Sequence, residues 1–253
     1  MKGKKGIVFA VIAAASILVI AFAVAVVSGR NTWYKKDTVT DAYRFPTHKS
    51  LEGKTYEQTI ECYQIPEDVL KTMSTEGLIE SCLDYPLFWT GMVFSNESAY
   101  AGFMQTRNEF NGLQELFRRK DAADKLVRAY IDATPEKVKK GDDSPTLRMR
   151  YFQYILAQEE VLEGLSSDGR RLLLDECVKK LEQYSKGYRD SFASDPVLMV
   201  AARICQRDSE AFRELMLEET WIEELVSNGM LLAGHEDGVR RAIDAVKEYR
   251  RGE

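Results

Sequence analysis

Histidine is almost missing: His48 and His235 are the only two in 253 residues. That starves most zinc sites, nucleophilic triads and imidazole acid–base pairs. Paired CxxC cysteines are missing too, since Cys62, Cys82, Cys177 and Cys205 are widely spaced. No HExxH or GxSxG pattern occurs, and Gly53-Lys54-Thr55 is only the tail of a phosphate-binding loop. The full loop needs a glycine where His48 stands and a strand before it, so chance accounts for the match. Alternating apolar–polar runs are lacking, and neither Asn111-Gly112 nor Asp168-Gly169 is flanked by β-branched segments. That argues against sheets. A basic excess is missing as well. Four of the 35 basic residues and none of the 40 acidic ones precede residue 31, so residues 31–253 carry a formal charge of −9. Such a balance excludes the basic footprint of a nucleic-acid binder and disfavours lying on an anionic lipid surface.

What is present begins with Ile7–Val27, 21 uncharged residues of which only Ser16 is polar. At about 1.5 Å per helical residue the run reaches about 30 Å, the thickness of a bilayer's hydrocarbon core. Lys2, Lys4 and Lys5 precede it, and Trp33, Tyr34, Lys35 and Lys36 follow. Aromatic rings and lysines fit the water–lipid boundary. The reading is an uncleaved signal-anchor over residues 1–29. A cleaved secretory signal is the alternative, with Ala23-Val24-Ala25 as its processing site, but the run exceeds the usual apolar length of such signals. A buried core helix is a third reading. The lysines before the run place the amino terminus in the cytoplasm and the rest of the chain outside it.

Residues 30–55 are polar and aperiodic and read as a juxtamembrane tether. Residues 56–253 read as a helical domain with subregions 56–134 and 145–253, separated by the loop Thr134–Pro145. Pro66-Glu67-Asp68 opens a helix, and Ser74 or Thr75 caps the next. Pro86 opens an apolar one through Phe94. Asn96 caps a helix to about Phe110, which Asn111-Gly112 breaks. Ser144-Pro145 starts a helix whose stripe Tyr151, Tyr154, Ile155, Val161, Leu162 and Leu165 continues unbroken. Ser166 to Gly169 turn the chain, Asp195-Pro196 opens another helix, Ser209 caps the next, and Gly234 precedes the last. The fold class is all-α: about eight to ten helices in consecutive antiparallel hairpins, a bundle or short solenoid-like array behind the transmembrane helix. A faint self-similarity at an offset of about 110 residues, Pro86 to Pro196 and Phe103 to Phe212, fits either stacked helical hairpins or coincidence.

An even number of cysteines outside the cytoplasm points to disulfides, with three pairings open. Cys62–Cys82 with Cys177–Cys205 joins neighbouring expected helices; four buried thiols are the alternative. Acids cluster at Glu57 and Glu61, at Glu159, Glu160 and Glu163, and at Glu218, Glu219, Glu223 and Glu224. A glycan hydrolase would need two such acids facing one another across a cleft, whereas acids at helical spacing beside basic residues are ordinarily a solvated face. His235 with Glu236 and Asp237 reads as the polar first turn of the last helix rather than a metal cluster. Tyr85, Phe88 and Trp89 form the densest aromatic patch, either a binding platform for sugar or peptide or core packing. No catalytic, metal or cofactor set emerges.

The stretch Cys62-Tyr63-Gln64-Ile65-Pro66-Glu67, then Met73-Ser74-Thr75, Cys82-Leu83-Asp84-Tyr85-Pro86-Leu87 and Phe110-Asn111-Gly112 resembles the amino-terminal part of uncharacterised exported helical proteins of Bacteroides-like bacteria. The resemblance covers residues 62–112. It implies export to the envelope and a helical fold, with no activity attached. Those proteins are secreted or lipidated, whereas this chain has no cysteine at the end of its apolar run. The function these readings favour is a membrane-anchored interaction module for a protein or peptide at the cell envelope. The alternatives are a carboxylate-dependent hydrolase and a structural spacer.

Overall fold

The computed structural model describes residues 41–88, 98–133, 144–185, 191–229 and 236–252. The apolar run Ile7–Val27 and its flanks, Trp89 through Phe94, Asn96, Gly234 and His235 lie outside these residues. Among the described residues every regular element is helical, and no helix is long and apolar enough to cross a membrane. After a 3₁₀ turn at His48–Leu51 come α1 (Tyr56–Cys62), α2 (Glu67–Thr72), α3 (Thr75–Leu83), α4 (Ala99–Glu109), α5 (Asn111–Leu116), α6 (Ala122–Asp132) and α7 (Ser144–Leu156). Then follow α8 (Glu159–Gly164), α9 (Ser167–Ser185), α10 (Ser191–Asp208), α11 (Glu210–Glu218), α12 (Trp221–Asn228) and α13 (Glu236–Arg251).

Hydroxyl caps set the amino ends. Thr55 and Gln58 form a capping box on α1. Ser74 accepts from Gly77 N at 2.9 Å, Ser98 from Ala101 N at 3.0 Å and Ser209 from Phe212 N at 3.2 Å. Each satisfies an amide that the first helical turn leaves without a partner.

Among the described residues the helices number thirteen rather than eight to ten, and at two of the departures a long-range partner overrides a local pattern. Asn111-Gly112 does not break a helix but begins α5. The Asn111 side chain accepts from Ile65 N at 3.0 Å and donates to Ile65 O at 2.8 Å, as a neighbouring backbone would. The Tyr151–Leu165 stripe is divided at Ala157-Gln158, where Gln158 donates to Tyr154 O at 2.8 Å and accepts from Arg107 at 2.8 Å. Pro196 lies inside α10, not at its start. Ser166 caps Gly169 N at 3.0 Å, so the expected turn is the first turn of α9.

The buried side chains of the described residues form one cluster. α7 unites it, touching α3, α4, α6, α8 and α10. Every residue from Tyr151 to Ala157 is fully buried. In the carboxyl-terminal half α10 packs on α7, α9, α11, α12 and α13, with Val197–Ala202 wholly inside. The chain turns out of α12 at Gly229, whose φ of +63° is left-handed and whose Cα lies where a side chain would meet Met199 Sδ at 3.1 Å. Only glycine suits that geometry.

So many short helices leave many carbonyls at their carboxyl ends without a partner. Basic side chains from other elements supply the donors. Arg119 donates to Leu70 O at 2.6 Å and Met73 O at 2.8 Å, ending α2. Arg148 reaches Leu83 O at 3.0 Å, ending α3, and also pairs with Glu80 and Asp84. Lys180 takes Ala133 O at 3.0 Å beyond α6, and Arg170 takes Leu165 O at 2.7 Å beyond α8. Arg203 bridges Ala157 O at 2.5 Å after α7 and Val226 O at 2.8 Å in α12, and donates to the Tyr100 hydroxyl at 3.2 Å. Arg213 serves Gln206 O and Arg207 O in α10, and Arg171 serves Arg250 O in α13.

Arg203→Lys keeps the charge but cannot span three acceptors in one plane. Urea unfolding is expected to show a loss of about 2–3 kcal/mol, from charged hydrogen bonds removed at buried acceptors.

Candidate functional site

All four cysteines are free: Cys62 is half-buried, and Cys82, Cys177 and Cys205 are fully buried. The expected disulfides are therefore not formed. Burial pushes the thiols of Cys82, Cys177 and Cys205 far up. A thiol that cannot ionise is a poor nucleophile. Tyr85 and Phe88 are buried, 1 % and 5 % exposed, and Trp89 lies outside the described residues.

The acid clusters do not face one another. Glu159 and Glu163 pair with Arg207 at 3.1 and 3.4 Å, and Glu160 pairs with Arg107. Glu218 and Glu219 pair with Arg241. Glu57, Glu61, Glu223 and Glu224 are exposed. Among the described residues no group of three histidine, cysteine or acidic side chains could hold a metal. His48 sits on the 3₁₀ turn, away from any such group.

Two polar assemblies were not visible in the sequence. The first is interior. Lys180, 2 % exposed, donates to Glu176 at 2.7 Å and to Ala133 O, and lies 4.6 Å over the Tyr130 ring. Gln153 donates to the Tyr130 hydroxyl at 3.1 Å. This cluster joins α6, α7 and α9. Glu176 is also paired with the exposed Lys179 at 3.2 Å, so the carboxylate is neutralised from both sides and the assembly locks helices.

The second assembly lies at the surface and is the candidate site. Residues 41–51, expected as part of a free tether, form a strap docked on α3. The Asp41 carboxylate accepts Ser74 N at 2.6 Å and the Ser74 hydroxyl at 2.9 Å. That hydroxyl accepts in turn from Gly77 N, so one serine links strap and helix. Tyr43 N donates to Ser81 Oγ at 2.8 Å. Phe45 closes an aromatic box, its ring 6.2 Å from Tyr63, 5.8 Å from Tyr85 and 6.0 Å from Phe110. Edge-on contacts at such distances add to the area buried. Leu51 is buried at the end of the strap. Gly77 is the floor: a Cβ there would lie 2.8 Å from Asp41 Cγ.

Charges converge on the same corner. The Ser74 amide holds the Asp41 carboxyl below the usual carboxylate range. Beside it, hydrogen bonds from Lys125 lower Glu76 and Asp121 and are matched by an upward shift of Lys125. Arg119 adds positive charge and holds Thr75 Oγ1 at 3.3 Å. The signal for the strap was available in principle: Asp41, Tyr43 and Phe45 alternate, and Gly77 interrupts an otherwise good helix former. No family model, no curated protein and no solved structure matches the chain. Its function must therefore be argued from these residues.

Lys180→Met leaves the Ala133 carbonyl without this donor and Glu176 with Lys179 alone, and is expected to cost about 2 kcal/mol in urea unfolding. Replacing the pair together, Glu176→Leu with Lys180→Met, is expected to cost less than the single change. The lowered Asp41 group stabilises the docked strap fully above the ordinary carboxylate range, and that contribution is lost as pH falls through the folded value. The Ser74 amide resonance should therefore titrate with a midpoint below that of an exposed aspartate, and Asp41→Asn should abolish the transition.

Proposed function

We propose that the chain is a single-pass membrane protein held by Ile7–Val27, with its helical body outside the cytoplasmic membrane as an interaction module for a protein or peptide partner at the cell envelope. The finer fold reading belongs with it: a transmembrane helix, then successive helices pairing as antiparallel hairpins. Neighbours in sequence such as α9 and α10, or α11 and α12, pack together, which supports that arrangement.

The observation that carries the non-enzymatic reading is the fate of the acids. The Glu159–Glu163 and Glu218–Glu219 clusters are engaged with arginines of other helices at the surface, instead of facing one another in an enclosed cleft. That removes support from the carboxylate hydrolase, which needs a water-excluded pair. The strap distinguishes a module from a plain spacer, because it fills a shaped seat. The compartment rests on the apolar run, its lysines and the resemblance at residues 62–112. The free cysteines do not add to it, since buried thiols persist in either compartment. Thirteen residues separate Val27 from Asp41. Fully extended they span at most about 45 Å, so the body stays close to the bilayer.

Leu217, 83 % exposed, offers a reporter position. With Cys62→Ala removing the half-buried thiol, Leu217→Cys should react with a membrane-impermeant maleimide in intact cells. Reaction only after lysis would reverse the orientation, and recovery of the full chain in the soluble fraction would remove the anchor. A photo-crosslinking residue at the same position is expected to give a discrete adduct with an envelope component. Absence of any adduct from this position and from Tyr56, an exposed aromatic residue, would count against a module.

A further inference from the structure

The strap is held by recognition at alternate residues. Asp41, Tyr43 and Phe45 are the first, third and fifth residues of a segment outside any helix, and each meets a separate feature of the body. Alternate residues share one side of an extended chain, and four steps cover about 13 Å. The features are built independently of the strap. Ser74 is the amino-terminal cap of α3, a helix of nine residues. Ser81 donates to Gly77 O at 2.7 Å, which leaves its oxygen turned to accept. Tyr63, Tyr85 and Phe110 are each 2 % exposed or less, and Tyr85 stacks on Phe110 at 4.0 Å. The strap itself is less deeply held: Tyr43 and Phe45 are half-buried, and Asp41 and Arg44 are exposed.

We propose that this seat is a docking groove for an extended peptide carrying a carboxylate and, four residues later, an aromatic ring, and that Asp41–Phe45 occupies it in cis. The inference deepens the interaction-module reading and rests on it. Carboxylate, backbone N–H and aromatic side chain are read at fixed spacing by a helix cap, a serine hydroxyl and an aromatic box. Peptide grooves combine main-chain bonds and alternate-residue pockets in the same way. The joined strap is present at an effective concentration in the millimolar range, so a partner segment must compete with it. Segments held by few contacts open locally at a fraction of global stability, which gives the partner its entry.

The test uses the full-length chain in detergent and a fluorescent peptide of residues 38–49, followed by anisotropy. Asp41→Ala with Phe45→Ala empties the seat, and peptide affinity should rise at least about tenfold over the unaltered chain. A peptide bearing the same two alanines should not bind. Gly77→Ala, which blocks the seat while favouring the helix, should abolish binding. Failure of the peptide to bind the emptied, folded chain, or equal binding of the alanine peptide, overturns the groove. Should the emptied chain not fold, hydrogen exchange on the unaltered chain decides. The Tyr43 amide is expected to exchange ahead of the α3 amides at Cys82 and Leu83, and exchange in step with them contradicts a separable strap. A chain that fails these tests yet forms its adduct at Leu217 keeps the module and loses the groove.

Discussion

Carbonyl oxygens at helix ends need donors, and in this chain basic side chains outside the helix supply them, most from more than twenty residues away. The thirteen helices of the described residues, many of them under ten residues long, expose many such oxygens. Eight carboxyl ends are met by the basic side chains of Arg119, Arg148, Arg170, Arg171, Lys180, Arg203 and Arg213. Arginine suits the task because its planar fork carries five donors and keeps its charge when half-buried. Each staple also fixes geometry. Arg203 ties α7, α12 and α4 at one point, and Arg119 ties α2 to the residues after α5. Apolar burial makes the body compact, but contacts between such surfaces are tolerant of sliding. Charged bonds to specific carbonyls are not, so the staples choose one arrangement.

Local features were legible from the residues alone. Pro66 and the acids after it, Ser74 and Ser209 mark helix starts because a cap depends only on its next three residues. The buried stripe of α7 follows from its period. Features with a distant partner were not legible. Asn111 looked like a breaker because its match with Ile65 lies 46 residues back. The α7–α8 division depends on Gln158 meeting Arg107 and Tyr100. Cysteine parity says nothing of burial, and burial decided the fate of Cys82, Cys177 and Cys205.

The candidate site divides along the same line. That the acid clusters were a solvated face could be argued from spacing, but their partners could not be named. Arg107, Arg207 and Arg241 lie 22 to 53 residues away. The strap was taken for a tether because it is polar and aperiodic on the scale of a helix. Its order is on the scale of an extended chain, and its complement, Gly77 between two serines, lies more than thirty residues on. Both halves of the site look ordinary alone.

The staples are tested most directly by comparing two sets of conservative changes under urea. One chain carries Arg119→Lys, Arg148→Lys, Arg170→Lys and Arg203→Lys; the other carries Arg44→Lys, Arg118→Lys, Arg128→Lys and Arg251→Lys, at exposed positions. Charge is unchanged in both. Stability is expected to fall by about 4 kcal/mol or more in the first and by less than about 1 kcal/mol in the second. Equal losses in the two chains would contradict the claim that guanidinium-to-carbonyl bonds hold the helices in place.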